Sequence, residues 1–379
     1  MNRYLLYRNV ITCHDMINNN NDYDDNNLDN CHYVLNIEET CDKTQYISSL
    51  SNQTISIYDK VALNIVNQIN NVHNDCINVI ETSLYNPNIF YSGSADKTIG
   101  LWDCRQSSSP IARISFPDDI MALSVGMNDT LLAAGYGNTI SFIDIRSLSS
   151  SSSTSSNSNS TPINYNRIKL GSYSDVHTDI ITQLKFLKSN PSILMSAADD
   201  GLICVYDTSV SQQESAVQSI LNTECPVRRF GFFGSQNEGL FCLSTIETLS
   251  VWHYPSALRI GNYANIREFL NVDYLVDCYY DANNDSLNLI SGKYDGTGII
   301  VKVEPNSLNV ESTLLSGHSA QIRCANVSTL PSSSNNIITT GGEDSKICTW
   351  VSSSVINNED TSQKPSSSPS KEQRRNKPY

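Results

Sequence analysis

The chain has 379 residues, a formal net charge of −14 and 39% hydrophobic residues, enough for a buried core and opposite in sign to the balance that neutralises nucleic-acid phosphates. Eleven cysteines, an odd number with no Cys-x-x-Cys pair, argue against a disulfide framework and against a zinc site. No stretch approaches the ~18 to 20 apolar residues of a membrane span. The opening Met1 to Arg8 is too short an apolar run for a secretory signal, so the sequence predicts a protein of the cytoplasm, the nucleus or both.

In chain order, Tyr4 to Cys13 and Tyr33 to Ile37 read as strands. Between them Asn18 to Asn30 is almost wholly Asn and Asp, too polar to offset its own ordering entropy, and is expected to be a floppy insertion. Tyr46 to Leu50 and Thr54 to Asp59 follow as a hairpin, with Ala62 to Ile69 beside it. From Ser92 to Arg105 an apolar run ends in Ser-Gly, a turn carries Asp96, and an alternating run closes on Trp102. That arrangement is a strand, a tight turn and a second strand. Ser147 to Thr161 is mostly serine and is expected to be inserted in an outer strand or surface loop, where insertions cost little. From Ser352 to Tyr379 the composition turns to Ser, Pro, Lys and Arg, which predicts a disordered tail after a body spanning residues 1–351.

The hairpin around Asp96 recurs. With the turn acid as origin, a hydroxyl lies four residues before it and a large aromatic six after it in three copies: Ser92, Asp96, Trp102; Ser196, Asp200, Tyr206; and Thr340, Asp344, Trp350. A histidine precedes each copy, His73 and His177 by 23 residues and His318 by 26, the extra residues falling in Pro331 to Asn336. Weaker copies place Asn52 and Gly137 in the turn, or keep Ser291 and Asp295, or retain only Trp252. The closing positions 58, 102, 143, 206, 252, 301 and 350 are 41 to 49 residues apart, apart from one step of 63 that contains the serine insertion. Seven units result, and a fixed period of this size signals a repeat architecture.

The histidine, the Ser-Gly turn and the closing Trp-Asp at this period resemble the WD-repeat family. Ser56-Ile-Tyr-Asp-Lys60, Ser172-Tyr-Ser-Asp-Val-His177, Gly317-His-Ser-Ala-Gln-Ile-Arg323 and Thr340-Gly-Gly-Glu-Asp344 are similar, in their order, to one branch of it, that of WD repeat-containing protein 89. The resemblance implies an all-β, seven-bladed propeller of four-stranded antiparallel blades, with Tyr4 to Cys13 completing the seventh blade and so closing the ring.

Ser, His and Asp in one unit are also the parts of a nucleophilic triad. Three copies of the set, each with an aromatic at its closing position, point instead to structure. Buried polar groups must find partners, and by the resemblance His73, Ser92, Asp96 and Trp102, with His177, Ser196, Asp200 and Tyr206 and with His318, Thr340, Asp344 and Trp350, would pin each blade's turn to the loop leading into it. No catalytic residue, cofactor or metal is expected.

Partner sites are sought in two places. Asp103 with Arg105 and Asp144 with Arg146 end two successive units in Asp-x-Arg, which resembles the segment by which some WD-repeat proteins dock on the adaptor of cullin-type ubiquitin ligases. The alternative is that each Arg serves its own Asp. Beside the turn acids, Ala95, Asp199, Tyr294 and Glu343, with Tyr136 in the third unit, are expected to project around one end of the channel, where aromatic and acidic groups suit a peptide with a basic anchor. Ser368-Pro-Ser-Lys371 has the form of a proline-directed phosphorylation site, and Arg374 to Lys377 that of a nuclear signal. The sequence therefore predicts a monomeric, non-enzymatic platform for other proteins or peptides, with a ubiquitin-ligase substrate receptor as the alternative, and no direct contact with nucleic acid or membrane.

Overall fold

The structure, a computed structural model, describes residues 3–12, 32–106, 109–149, 162–329 and 336–352. The Asn/Asp-rich stretch 18–30, nearly all of the serine insertion, and the tail beyond Ser352 lie outside the described residues.

Short alternating runs separated by Asn, Asp and Gly turns fold almost entirely as strands. The first, β1 (Arg3–Thr12), is set apart from the rest. Blade 1 is β2 (Val34–Glu39), β3 (Gln45–Leu50), β4 (Ile55–Asp59) and β5 (Ile65–Ile69); blade 2 is β6 (Ile77–Thr82), β7 (Ile89–Ser94), β8 (Thr98–Asp103) and β9 (Ala112–Ser115). Blade 3 is β10 (Ile120–Gly126), β11 (Leu131–Tyr136), β12 (Thr139–Asp144) and, after the one-turn helix α1 (Arg146–Ser149) and the short β13 (Ile163–Asn164), β14 (Lys169–Tyr173). Blade 4 is β15 (Ile181–Leu187), β16 (Asn190–Ala198), β17 (Leu202–Asp207) and, after α2 (Gln213–Ala216), β18 (Val217–Asn222). Blade 5 is β19 (Val227–Phe233), β20 (Gly239–Ser244), β21 (Leu249–His253) and β22 (Leu258–Tyr263). Helix α3 (Ile266–Leu270) leads into blade 6, β23 (Tyr274–Asp281), β24 (Ser286–Gly292), β25 (Gly298–Glu304) and β26 (Ser307–Leu314). Blade 7 is β27 (Ile322–Thr329), β28 (Asn336–Gly342) and β29 (Lys346–Ser352).

The fourth strand of blade 7 is β1. It runs antiparallel to β29 from Leu5 opposite Ser352 to Thr12 opposite Lys346, and its start also pairs in parallel with β26, Arg3 opposite Ser312. The chain is a seven-bladed propeller whose last blade is completed by its first strand, so both edges that would stay open there are paired.

The core lies between blades rather than within them. Trp102 packs with Ile47 and Ile57 of blade 1, Tyr206 with Phe142 of blade 3, and Trp350 with Ile290 of blade 6, so each closing aromatic faces the blade before it. Around the channel the inner strands are laced together by side chains that reach the next blade's backbone. Asn78 donates to Ile120 O at 3.0 Å, Thr182 to Val227 O at 2.6 Å and Arg228 to Leu275 O at 2.5 Å, while Ser124 Oγ and Tyr274 Oη accept from the N–H of Phe186 and Ile322 at 3.0 and 2.7 Å. Each bond satisfies a polar group that would otherwise be buried alone.

The serine insertion sits between β12 and the outer strand β14, and its first residues are not a loop. Leu148 of α1 is buried in the layer between blades 2 and 3. On the far side, β13 crosses to pair in parallel with β9 of blade 2, and the Tyr165 ring stacks on Phe116 at 4.9 Å. The insertion is thus flanked by two anchors that tie blade 2 to blade 3.

Candidate functional site

Three blades carry the same polar chain. In blade 2, Trp102 Nε1 donates to Ser92 Oγ at 2.8 Å, Ser92 lies 2.7 Å from His73 Nε2, and His73 Nδ1 lies 3.0 Å from Asp96. In blade 7 the same path runs from Trp350 to Thr340 (2.8 Å), His318 (2.8 Å) and Asp344 (2.9 Å). In blade 4, Ser196 Oγ lies 3.3 Å from the Tyr206 hydroxyl and 2.6 Å from His177 Nε2, with Asp200 at 3.0 Å from Nδ1.

The turn that presents the acid is built locally. Three residues separate the strands, the last of them left-handed, Lys97 (φ 66°), Gly201 (φ 77°) and Ser345 (φ 59°), as a three-residue hairpin requires. One carboxylate oxygen caps this turn, accepting from the N–H of Thr98, Leu202 or Lys346 at 3.0, 2.9 and 3.3 Å. The other accepts from the residue after the histidine, Asn74, Thr178 or Ser319, at 2.9, 3.0 and 2.8 Å. A single carboxylate therefore joins the hairpin turn to the loop that leads into the blade.

The chemistry fixes who donates. A carboxylate can only accept, so a neutral histidine carries its proton on Nδ1 and offers Nε2 to the hydroxyl proton, which leaves the hydroxyl oxygen to accept from the indole. An indole donates only, so the chain in blades 2 and 7 runs one way. The phenol of Tyr206 can do either, and blade 4 lacks that constraint. Burial would raise the Asp96 pKa, but the hydrogen bonds from His73, Thr98 and the Asn74 N–H outweigh it and hold the carboxyl below the usual range; Asp344 is lowered in the same way by His318 and Ser319. Burial holds His177 below its ordinary value, Asp200 offsetting part of the effect.

As a hydrolytic site the arrangement is poorly placed. Ser92, Ser196 and Thr340 are each 0% exposed, and their protons and lone pairs are committed to His and to the closing aromatic. Blade 2 adds a group that the spacing did not reveal. Arg113, on the outer strand, lies over the Trp102 ring at 5.8 Å and donates to Val72 O and Thr98 Oγ1 at 2.6 and 3.1 Å. A lone Arg in an outer strand carries no sequence signal for this contact.

The two Asp-x-Arg ends are alike. Arg105 closes a two-bond fork on its own Asp103 (2.9 and 2.6 Å) and Arg146 on Asp144 (2.9 and 2.8 Å), with about 70% of each Arg side chain exposed, 70% and 71% respectively. Each Arg thus serves its own Asp in the free chain.

The residues expected around the channel divide. Tyr294 is exposed, its ring 5.7 Å from Tyr274. Glu343 pairs with Arg323 at 2.6 Å, and Arg323 in turn lies over Tyr33 at 5.7 Å. Asp199 is half-buried, its carboxyl pushed up by burial and by Asp179 and Asp200. Ala95 is partly covered beside Asp96. Tyr136 is a correction: it does not project but is buried in the layer between blades 2 and 3, its hydroxyl 3.0 Å from Ser141 and its ring against Phe116 and Tyr165. Its turn has two residues, Gly137 and Asn138, rather than three, so Tyr136 still belongs to β11 and follows the strand's alternation inward.

The rim mixes apolar and acidic groups. Over blades 4 to 7 it exposes Ile180, Ile246, Phe269, Tyr294 and Leu315, with Tyr33 beyond them, beside the exposed acids Glu224, Glu268 and Asp295. Over blades 2 to 4 it exposes Asp75, Asp118, Asp175 and Asp179, and of these Asp118 faces Lys97 at 3.5 Å. Phe269 stands on α3, which Ile266 and Leu270 anchor, and Arg267, Glu268, Val272, Asp273 and Tyr294 line a shallow groove of about 290 Å³ beside it.

Comparison with known proteins matches the WD domain, G-beta repeat family to residues 67–103, 169–207 and 309–350, the three stretches that carry the complete polar chain. The chain is 30% identical over 336 residues to the WD repeat-containing protein 89 homolog of Dictyostelium discoideum, covering 85% of this chain and 83% of that protein. It is also 30% identical over 342 residues to WD repeat-containing protein GTS1 of Arabidopsis thaliana, covering 84% and 81%.

Proposed function

The chain belongs to the WD-repeat family, and from that premise we propose that it is a non-enzymatic platform that binds a protein segment across its rim. What carries the reading is the run of exposed apolar side chains over blades 4 to 7, set among exposed acids that continue over blades 2 to 4. A segment with two or three apolar anchors and basic residues among them suits such a rim. The full burial of Ser92, Ser196 and Thr340 supports a framework role for the polar chains rather than a catalytic one. The protein acts as a monomer in the cytoplasm or nucleus, in keeping with its free described cysteines, and its negative charge disfavours direct nucleic-acid binding. Proximity labelling in the native cell, comparing the parent with Phe269→Ala/Tyr294→Ala, tests this: the double variant loses partners that the parent labels, and an unchanged set overturns the reading.

A second reading, docking on a cullin-ligase adaptor, is favoured by one observation, that two exposed Arg forks, each closed on its own Asp, end adjacent blades. An acidic adaptor surface would have to displace Asp103 and Asp144. Adaptor recovery that is equal for the parent and Arg105→Ala/Arg146→Ala in a pull-down removes this reading.

A further inference from the structure

Blade 5 keeps the closing Trp252 and the strand frame of the polar chain but little of its bulk. Strand β19 opens on Val227 as β6 opens on Ile77, which puts Thr223 where blade 2 has His73. Val227 pairs with Ser244 as Ile77 pairs with Ser94, so Ile246 stands at the place of Asp96. Opposite Ser250 lie Cys242 and Asn262, as Ser92 and Arg113 lie opposite Gly100. Imidazole, carboxylate and guanidinium thus give way to a hydroxyl, an alkyl chain and an amide. Ile246 turns out to solvent, 58% exposed. The Thr223 hydroxyl turns to the backbone, 2.8 Å from Gly201 O and from Cys225 O.

What these replacements leave is a cavity of about 130 Å³, walled by Thr223, Cys242, Thr248 and Ser250, with Glu224 and Ile246 exposed at its mouth. One water needs only ~10 to 15 Å³, so the space suits a larger group. In blade 3 the same place is filled by Phe116, buried four residues before Ile120 with its ring 5.4 Å from Tyr136. The bonds already made decide what the blade 5 cavity offers. Trp252 Nε1 donates to Ser250 Oγ at 2.8 Å, as Trp102 does to Ser92, which leaves the Ser250 proton to be given. In blade 2 that proton goes to His73 Nε2. The Cys242 thiol lies beside Ser250, but sulfur is a weak acceptor. Glu224 supplies a carboxylate, and its contact with Arg259, 3.4 Å long and on the surface, competes weakly.

We propose that this cavity is an anchor pocket for a histidine side chain of the segment that docks on the rim. Its neutral ring accepts from Ser250 through one nitrogen and donates to Glu224 through the other. The source of the histidine rests on the rim-docking reading, whereas the chemistry of the pocket does not. Methyl-labelled spectra of the intact chain, titrated with imidazole and with N-acetyl-histidine methylamide at about pH 8, where the ring is neutral, test it. Both probes are expected to bind in the millimolar range and to shift the methyls of Thr223, Ile246 and Thr248. Ile246→Asp, which returns the acid of blades 2, 4 and 7, is expected to tighten imidazole about tenfold. Thr223→His, which fills the cavity from within, is expected to abolish the shifts. Imidazole that leaves these methyls unmoved, moves them equally in Thr223→His, or binds Ile246→Asp no tighter overturns the pocket. Imidazole bound without the blocked histidine overturns the side-chain ligand. The parent and Ile246→Asp titrations decide should Thr223→His fail to fold. Imidazole unbound while Phe269→Ala/Tyr294→Ala loses partners fails the pocket alone, and imidazole bound while the partners stay unchanged fails the rim reading alone.

Discussion

Asp96 lies 3.0 Å from His73 Nδ1, and between them they close a loop of 23 residues that runs from the start of blade 2 to its second turn. The carboxylate also accepts from Asn74 N–H, Thr98 N–H and Thr98 Oγ1. Asp96→Ala removes the acceptor of these donors and of the buried His73 Nδ1, which costs about 1 to 3 kcal/mol. The expected outcome is a lower denaturant midpoint with an unchanged slope. An unchanged midpoint would mean that the polar chain does not hold the blade.

His177 gives the framework a pH dependence. Its folded-state pKa lies below the ordinary value because the imidazole is buried, with Asp200 only partly compensating. Below an unfolded value of about 6.5 the unfolded chain binds the proton more readily than the folded one, so this stability is full above pH 6.5 and is lost as pH falls through the lowered folded value. Melting followed from pH 8 to pH 5 should therefore fall less steeply in His177→Asn than in the parent. Parallel curves would show that His177 does not titrate differently on folding.

Periodicity made the seven units legible because every blade must present the same face to its neighbour, and the closing positions record that face. It also put His73, Ser92, Asp96 and Trp102 in one unit, where the Asp96→Ala midpoint tests what they contribute. What escaped it depends on single-residue differences. A turn of two residues rather than three moved Tyr136 from the rim into the core, although Tyr136, Gly137 and Thr139 match the other turns in composition. The crossing of β13 to blade 2 and the placement of Phe269 on α3 arise from insertions, which obey no period. Ser48 holds in blade 1 the place of Ser92 in blade 2, yet Ser92 alone of the two has a histidine and an indole within hydrogen-bond reach.

The lower side of blades 2 and 3 is tied by Asp129. Its carboxylate accepts from Ser83 Oγ at 2.5 Å, Leu84 N–H at 2.9 Å and Tyr85 N–H at 3.0 Å, across to the neighbouring blade. Reaching there requires Met127, Asn128 and Asp129 to be left-handed in succession, at φ 47°, 58° and 61°. Asp129→Ala is expected to destabilise by about 1 to 2 kcal/mol, since the buried Ser83 hydroxyl loses its acceptor. Asn128→Gly is expected to stabilise by a few tenths of a kcal/mol or to be neutral, the relief of left-handed strain offset by a freer unfolded chain. Chemical denaturation of both variants checks the pair, and an Asp129→Ala midpoint equal to the parent's would remove the tie.

Glu81 on the inner strand β6 titrates in the opposite sense. Its carboxyl is pushed up to about 7, first by burial and then by the Glu38 charge on the neighbouring inner strand β2, with Lys185, Lys188 and the Val125 N–H offsetting part of the rise. Burial also raises Glu38, with Lys185 and Arg229 opposing it. A raised carboxyl means that the folded chain holds the proton where the unfolded chain has released it. The contribution is therefore full below the unfolded value of about 4.5 and is lost as pH rises through about 7. At pH 8 the folded state keeps a desolvated charge close to a second carboxylate. Glu81→Gln removes that charge while its amide oxygen can still accept from Val125 N–H, which the carboxylate does at 3.1 Å. The variant should be more stable than the parent at pH 8 by about 1 to 3 kcal/mol and should converge with it below pH 5. Because His177 acts in the same window with the opposite sign, the difference between parent and variant at each pH isolates Glu81, and a difference that stays constant from pH 5 to pH 8 would show that this carboxyl keeps an ordinary pKa in the channel.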